Sequence, residues 1–202
     1  MSTQPSDPRI GTKRRATKET EVEASLSLDG AGKVDVDTGM PFLDHMLELF
    51  AHHGRFDLDL RAKGEVEVEY HHTVEDVGLV LGECLTQALG DKSGVERFGA
   101  SYVPLDEALT RVVVDLSGRP YLSFRVSFPT ERVGAFPTEL FEDFFRGLVD
   151  RARLTLHVDG LHGRNSHHIA ETLFKAFARA LAVAVARREG GVVRSTKGTL
   201  SE

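Results

Sequence analysis

Apolar residues recur along this chain at two periods, and the whole succession of periods is written twice. Leu43, Met46, Leu47 and Phe50 fall three and four apart, which gathers them on one face of a helix; Phe141, Phe144, Phe145 and Leu148 repeat the spacing 98 positions later. Each helical stretch runs into a short alternating segment, Phe56-Asp57-Leu58-Asp59-Leu60 and Leu154-Thr155-Leu156-His157-Val158, which predicts a half-buried strand. Upstream, Lys18 to Gly30 aligns with Asp106 to Gly118, each predicting a strand that starts near an acidic residue, Glu19 or Glu107, and ends in a glycine turn. A long helix closes each half, predicted over Val74–Leu89 and Ile169–Arg187.

Each half therefore reads strand, strand, helix, strand, helix, and the fold class expected is α+β. Every helix carries an apolar stripe that needs cover. The economical arrangement packs four helices between two small mixed β-sheets, with the duplicated half-domains related by an approximate twofold. The expected boundaries are a disordered tail over 1–9, a first half-repeat over 10–95 and a second over 96–202, forming one compact unit.

Composition narrows the class without naming it. The chain has 202 residues, 41% hydrophobic and 28% charged, as in an ordinary globular protein. A net charge of −6 argues against nucleic acid or an anionic membrane as partner, while leaving room for local basic patches that bind small anions. No apolar run approaches the roughly 18 residues of a membrane helix. The polar N-terminus lacks a signal-peptide core, so a cytoplasmic protein is expected. The single cysteine, Cys84, sits in the apolar pattern Val77, Leu81, Leu85 and reads as a small core residue.

The candidate chemistry lies at the mouths of the long helices. The word His71-His72-Thr73-Val74-Glu75 returns as His167-His168-Ile169-Ala170-Glu171, 96 positions later. Residues three or four apart share a helix face, so the glutamate lies beneath both histidines, but adjacent residues point about 100° apart. One word cannot wrap both imidazoles around a single ion. Two words brought together can share their histidines between two ions. A lone helical histidine is more often a surface or core residue; pairs repeated in register, each with a glutamate at i+3, point to metal. Imidazole and carboxylate without a nearby thiolate suit Mn, Fe, Zn, Co or Ni.

Taken with Thr17-x-Glu19-Thr20, Pro41-Phe42-Leu43-Asp44-His45-Met46-Leu47, His53-Gly54, Asp115-x-Ser117-Gly118-Arg119-Pro120, Gly163-Arg164-Asn165 and Ser195-Thr196-Lys197-Gly198, the words make a chain that resembles the imidazoleglycerol-phosphate dehydratases of histidine biosynthesis from about Arg9 to Leu200. The resemblance implies Mn2+, two ions per active site, with His45, His71, His72, Glu75, His167, His168 and Glu171 as ligands. The repeat suggests that one ion takes His45, His72, Glu75 and His167, and the other takes His168, Glu171 and His71. The repeat partner of His45 is Asp143, either a substituted ligand or a solvated helix residue. The resemblance assigns the substrate phosphate to Arg97, Arg119, Lys175, Ser195 and Lys197, which offer a guanidinium fork, ammonium groups and a hydroxyl. Arg14, Arg15, Arg187 and Arg188 are expected to be solvated. Gly190-Gly191 is expected to hinge a flap over the phosphate. A homo-24-mer with sites at subunit contacts is implied as well.

The implied reaction is a lyase reaction, D-erythro-imidazole-glycerol phosphate to imidazole-acetol phosphate plus water. Its difficulty is a departing proton on a carbon with no adjacent carbonyl; Lewis acids at the ring nitrogens address this. Glu19 and Glu171 are the candidates for proton handling, with His45 and His53 placed near the diol and Glu19 also touching substrate. Glu19 is the simpler base because it lies outside both words. The alternative from a different class is a non-catalytic, histidine-rich metal-storage protein of the helix-bundle type. Those proteins favour Glu-x-x-His over His-x-x-Glu, and storage leaves Arg97, Arg119, Lys175 and Lys197 without a purpose.

Overall fold

A computed structural model describes residues 8–64 and 69–188, and within them the chain follows one path twice. The first half is β1 (Ile10–Ala16), β2 (Thr20–Ser27), β3 (Val34–Asp37), α1 (Pro41–Gly54), β4 (Asp57–Gly64) and α2 (His71–Leu89). The second is β5 (Phe98–Leu105), β6 (Ala108–Asp115), β7 (Tyr121–Arg125), a small hairpin β8 (Arg132–Val133) and β9 (Phe136–Pro137), α3 (Leu140–Ala152), β10 (Thr155–His162) and α4 (Ser166–Val185). The sheets have the matching orders β1-β2-β4-β3 and β5-β6-β10-β7. In each, the last strand joins in parallel and the others are antiparallel, so both sheets are mixed.

Three strands of the four-stranded sheet precede the short helix in each half, not two, and the second half adds the β8–β9 hairpin. The additional ones, β3 and β7, are a short acidic stretch and one following Arg119-Pro120, with little of the apolar alternation that marks β2 or β6. Both long helices also begin earlier than their apolar spacing suggests, at His71 and Ser166, so each histidine word forms a first helical turn; α4 ends at Val185, short of Arg187. Asn165 caps α4, its side chain accepting the His167 N–H at 2.9 Å. The short helices end alike: Arg55 and Arg153 both adopt the left-handed conformation, at φ 57° and 49°.

Val22, Ala24 and Leu26 of β2 point inward and are buried, while Glu21 and Glu23 alternate outward. Helix α2 covers β1 and β2, and α4 covers β5 and β6. Each long helix packs on its other side against the short helix of the opposite half, α2 on α3 and α4 on α1, which places all four between the sheets. The edge strands approach their helices unusually closely. A Cβ on Gly11 would lie 1.9 Å from the Cys84 carbonyl oxygen, and one on Gly99 would lie 1.9 Å from that of Ala180. The duplication thus preserves a contact that only glycine permits.

The central helix layer is less symmetric. Gly78 of α2 lets α3 approach until a Cβ there would meet the Phe144 carbonyl oxygen at 2.3 Å. The repeat equivalent in α4 is Phe174, fully buried among Phe141, Phe144 and Phe145. Cys84 is buried, and its thiol is pushed up to about 12 by that burial, as expected of a core residue. Arg9, assigned to the tail, is anchored: it donates to Asp29 Oδ1 at 2.6 Å and to the Val185 carbonyl at 2.6 Å. Residues 1–7 lie outside the described chain. No helix among the described residues is long and apolar enough to cross a membrane.

Gly99→Ala must push strand and helix apart, at a cost of about 1–3 kcal/mol. The expected outcome is a lower urea midpoint, matched by Gly11→Ala in the other half. An unchanged midpoint in both would mean that the strands can retreat freely.

Candidate metal centre

The first turn of α4 faces the middle of α1, so side chains from the two halves meet. His45 on α1 puts Nε2 3.3 Å from Glu171 Oε1, and His167 puts Nε2 2.9 Å from the same oxygen. The three donor atoms lie within 4.8 Å of one another. Ligands adjacent around an ion with bonds of about 2.1 Å stand about 3 Å apart, so this donor set fits a small hard divalent cation. Glu171 also pairs with Lys175 one turn further on. Burial raises the pKa of the Glu171 carboxyl, but the bonds from Lys175, His167 and His45 outweigh it and bring the value down to about 2. A carboxylate so firmly ionised is a good ligand and a weak base. His53, on the last turn of α1, is held below the ordinary histidine value by burial and then by the Lys175 charge, which keeps its imidazole neutral near pH 7.

Adjacent histidines diverge as helix geometry requires. The His71 and His72 rings lie 5.6 Å apart at 72°, and those of His167 and His168 lie 6.3 Å apart at 88°. Each goes to its own carboxylate. His71 Nδ1 stands 3.4 Å from Asp143, His72 Nδ1 3.4 Å from Glu19, and His168 Nδ1 2.8 Å from Glu107. Within one chain the three donors that converge do not follow the division the repeat suggested, which set Glu171 apart from His45 and His167. His45 joins His167 and Glu171, whereas His72 and Glu75 belong to a different part of the molecule. Asp143 takes toward His71 the place that His45 takes toward His167, so it faces the first word across the contact of α2 with α3. Glu75 is exposed and joins no cluster of three donors among the described residues.

Glu107 is a candidate site residue that sequence reasoning noted only as the repeat partner of Glu19. Its carboxylate accepts the backbone N–H groups of Arg164 and Asn165 at 3.2 and 2.9 Å as well as His168. The His168 bond, followed by those backbone donors, brings it down to about 2. A carboxylate held ionised can only accept, so His168 Nδ1 donates to it and Nε2 is the ring nitrogen left for a metal ion. This is the usual orientation of a metal-binding histidine. An open recess of about 910 Å³ spreads in front of it, lined by Glu107, Arg132, Arg164, His167 and His168.

Among the described residues, the expected phosphate residues do not all assemble in one chain. Lys175 sits with Glu171. Arg97 lies at the far end of α4, donating its N–H to the Ala184 carbonyl at 2.9 Å and its side chain to Asp115 at 2.8 Å. That is about 25 Å along the helix from His167. Arg119 is exposed on the following loop, near Ser117 and two residues before β7. Ser195, Lys197 and Gly190-Gly191 lie outside the described residues. Of the four arginines expected to be solvated, Arg15 bonds Asp76 at 2.7 Å, Arg14 bonds Glu21, Arg187 bonds Asp29 and Arg188 bonds Glu96.

The imidazoleglycerol-phosphate dehydratase family model matches residues 38–181. An imidazoleglycerol-phosphate dehydratase from Magnetococcus marinus is 57% identical over 96% of this chain and 99% of its own length. One from Nitrosococcus oceani is 57% identical over 92% and 95%. The crystal structure of the Staphylococcus aureus dehydratase superposes with a TM-score of 0.81 at 45% identity, covering 89% of this chain and 99% of that one. That from Pyrococcus furiosus gives 0.81 at 38% identity, covering 93% and 100%.

Because the Glu171 pKa is depressed in the folded chain, the stability it contributes is present above the unfolded value of about 4.3 and lost as pH falls toward 2. Lys175→Met should therefore lower the urea midpoint of chelator-treated protein by an amount constant from pH 8 to about 4.5, with the gap to wild type closing below that. A gap that is insensitive to acid would place the Lys175 effect elsewhere.

Proposed function

The chain belongs to the imidazoleglycerol-phosphate dehydratase family of histidine biosynthesis, hydro-lyases by reaction, and from that premise we propose that it dehydrates imidazoleglycerol phosphate at manganese sites completed between copies of the chain. The observation that carries the proposal is the convergence of His45, His167 and Glu171 from opposite halves, with His168 and His72 each oriented by a carboxylate through Nδ1. His45, His167 and Glu171 would hold one ion. His71, with Asp143 beside it, would serve the other. Manganese bound there would supply Lewis acidity to the imidazole nitrogens of the substrate, easing loss of the hydroxyl from the carbon next to the ring.

The chain's own groups do the rest. Glu19, 59% exposed beside His72, is the carboxylate placed to take the proton from the neighbouring carbon. The resulting enol becomes the ketone of imidazole-acetol phosphate on reprotonation. Glu171, ionised and paired with Lys175, serves as a ligand and leaves the proton work to Glu19. His53 stays neutral and can exchange a hydrogen bond with the diol. Arg97 and Arg119 present guanidinium groups for the phosphate, with Ser195 and Lys197 as further donors.

Since Arg97 stands about 25 Å from His167 along α4, one substrate cannot span both within a chain. The phosphate grip and the metal cluster of a site then come from different copies, in keeping with a homo-24-mer that has sites at subunit contacts. The storage alternative has less support: the helices are layered between sheets, not gathered in a free-standing bundle, and the metal donors are mainly imidazole.

Glu171→Gln should weaken Mn2+ binding by at least about tenfold by calorimetry and abolish turnover. Many ions per wild-type chain without dehydration would favour storage. Shared sites have a sharper signature. His167→Ala and Arg97→Ala chains, each inactive alone, should regain about a quarter of wild-type activity when mixed at equal amounts and reassembled with manganese. No recovery would place both groups in one chain's site.

A further inference from the structure

Asp76 follows Glu75 directly, yet it belongs to none of the histidine clusters. It is 6% exposed, a buried carboxylate without a part in the chemistry described so far. One oxygen accepts Arg15 Nε at 2.7 Å. The other accepts the Thr20 hydroxyl, itself buried, in a very short hydrogen bond. With the single Thr20 proton committed to Asp76, Thr17 is the donor in its 3.1 Å bond with the Thr20 hydroxyl, its proton shared with the Thr20 carbonyl at 3.4 Å. Thr17 Oγ1 in turn accepts the backbone N–H groups of Glu19 and Thr20, at 3.1 and 3.0 Å. An unbroken run of hydrogen bonds thus joins the first turns of α2 to the backbone of Glu19.

The second half holds its corresponding carboxylate differently. Glu107 accepts two backbone N–H groups on its own side chain, and the counterpart of Asp76 is Thr172, bonded to Thr110 at 2.8 Å. Glu107 is pinned by its carboxylate. Glu19 is held by its backbone, and its carboxylate is left open to solvent and to His72. A proton-transferring group needs that combination: fixed placement, with the oxygens uncommitted.

We propose that Asp76, together with Arg15 and Thr20, is a positioning residue that locks the Thr17–Thr20 turn so that Glu19 presents a free carboxylate beside His72. This rests on the role given to Glu19 above. The pair could instead merely brace two strands against a helix, and the two roles separate experimentally. A brace affects every variant alike, whereas a positioning residue matters only while Glu19 can act.

The test is steady-state kinetics of the manganese-loaded enzyme, with Asp76→Asn and Thr20→Val each made in the wild type and in Glu19→Gln. In the wild type each should lower kcat about tenfold or more, with KM changed less than about threefold. In the Glu19→Gln background neither should cause further loss. Thr20→Ser, which keeps the hydroxyl, should retain the rate. Equal losses in both backgrounds, or Thr20→Val at full rate while Glu19→Gln is slow, would overturn the positioning role. If Asp76→Asn does not fold, Thr20→Val decides. Glu19→Gln at the wild-type rate removes the premise and the proposal with it, a result distinct from the other two.

Discussion

Consecutive side chains on an α-helix leave its axis about 100° apart, so a His-His pair cannot close on one ion from one helix. In this protein each imidazole is consequently sent to a different neighbour: His71 to Asp143, His72 to Glu19, His167 to Glu171 and His168 to Glu107. Any ion held by a word must draw its remaining donors from another segment. The packing supplies one, because α4 rests on α1 of the opposite half and brings His45 over Glu171. The helix layer between the sheets is therefore part of the donor geometry as well as the core.

The duplication is faithful where backbones touch and divergent where chemistry is done. Gly11 and Gly99 keep the same close approach to a helix carbonyl, and Arg55 and Arg153 end the short helices in the same left-handed conformation. By contrast, His45 aligns with Asp143, and Asp76 with Thr172, across the repeat. Those substitutions make two related helix mouths unlike. One gathers three donors with a lysine behind them; the other carries an exposed glutamate on a locked turn. The two-metal reading gains from such inequality, since the substrate it would serve has two different ring nitrogens.

The length of α4 sets a second constraint. The helix separates its histidine-bearing first turn from Arg97 beside its last, so the chain offers a cluster of candidate metal donors at one end of α4 and a guanidinium group at the other. A rigid spacer of that size cannot bend to bring them together. The association of copies proposed above would resolve the separation without any change within the chain, and it would account for a site read from sequence as one constellation being scattered in a single chain.

Periodicity and repetition made much of this legible in advance. The four helices, the strands β2, β4, β6 and β10 and the pairing of the halves all follow from apolar spacing, which depends only on which residues must leave water. The histidine words raised the expectation of metal because their residue types and i+3 glutamates are chemical facts of the chain. The strands β3 and β7 did not show, since short pieces at a sheet edge need little apolar alternation. Nor did the early starts of α2 and α4, where polar residues form the first turn. That His45 meets Glu171 and His71 meets Asp143 was decided by the crossing of α1 with α4 and of α2 with α3. Partnership across a helix contact depends on rotation and register in three dimensions, and linear spacing carries no record of either.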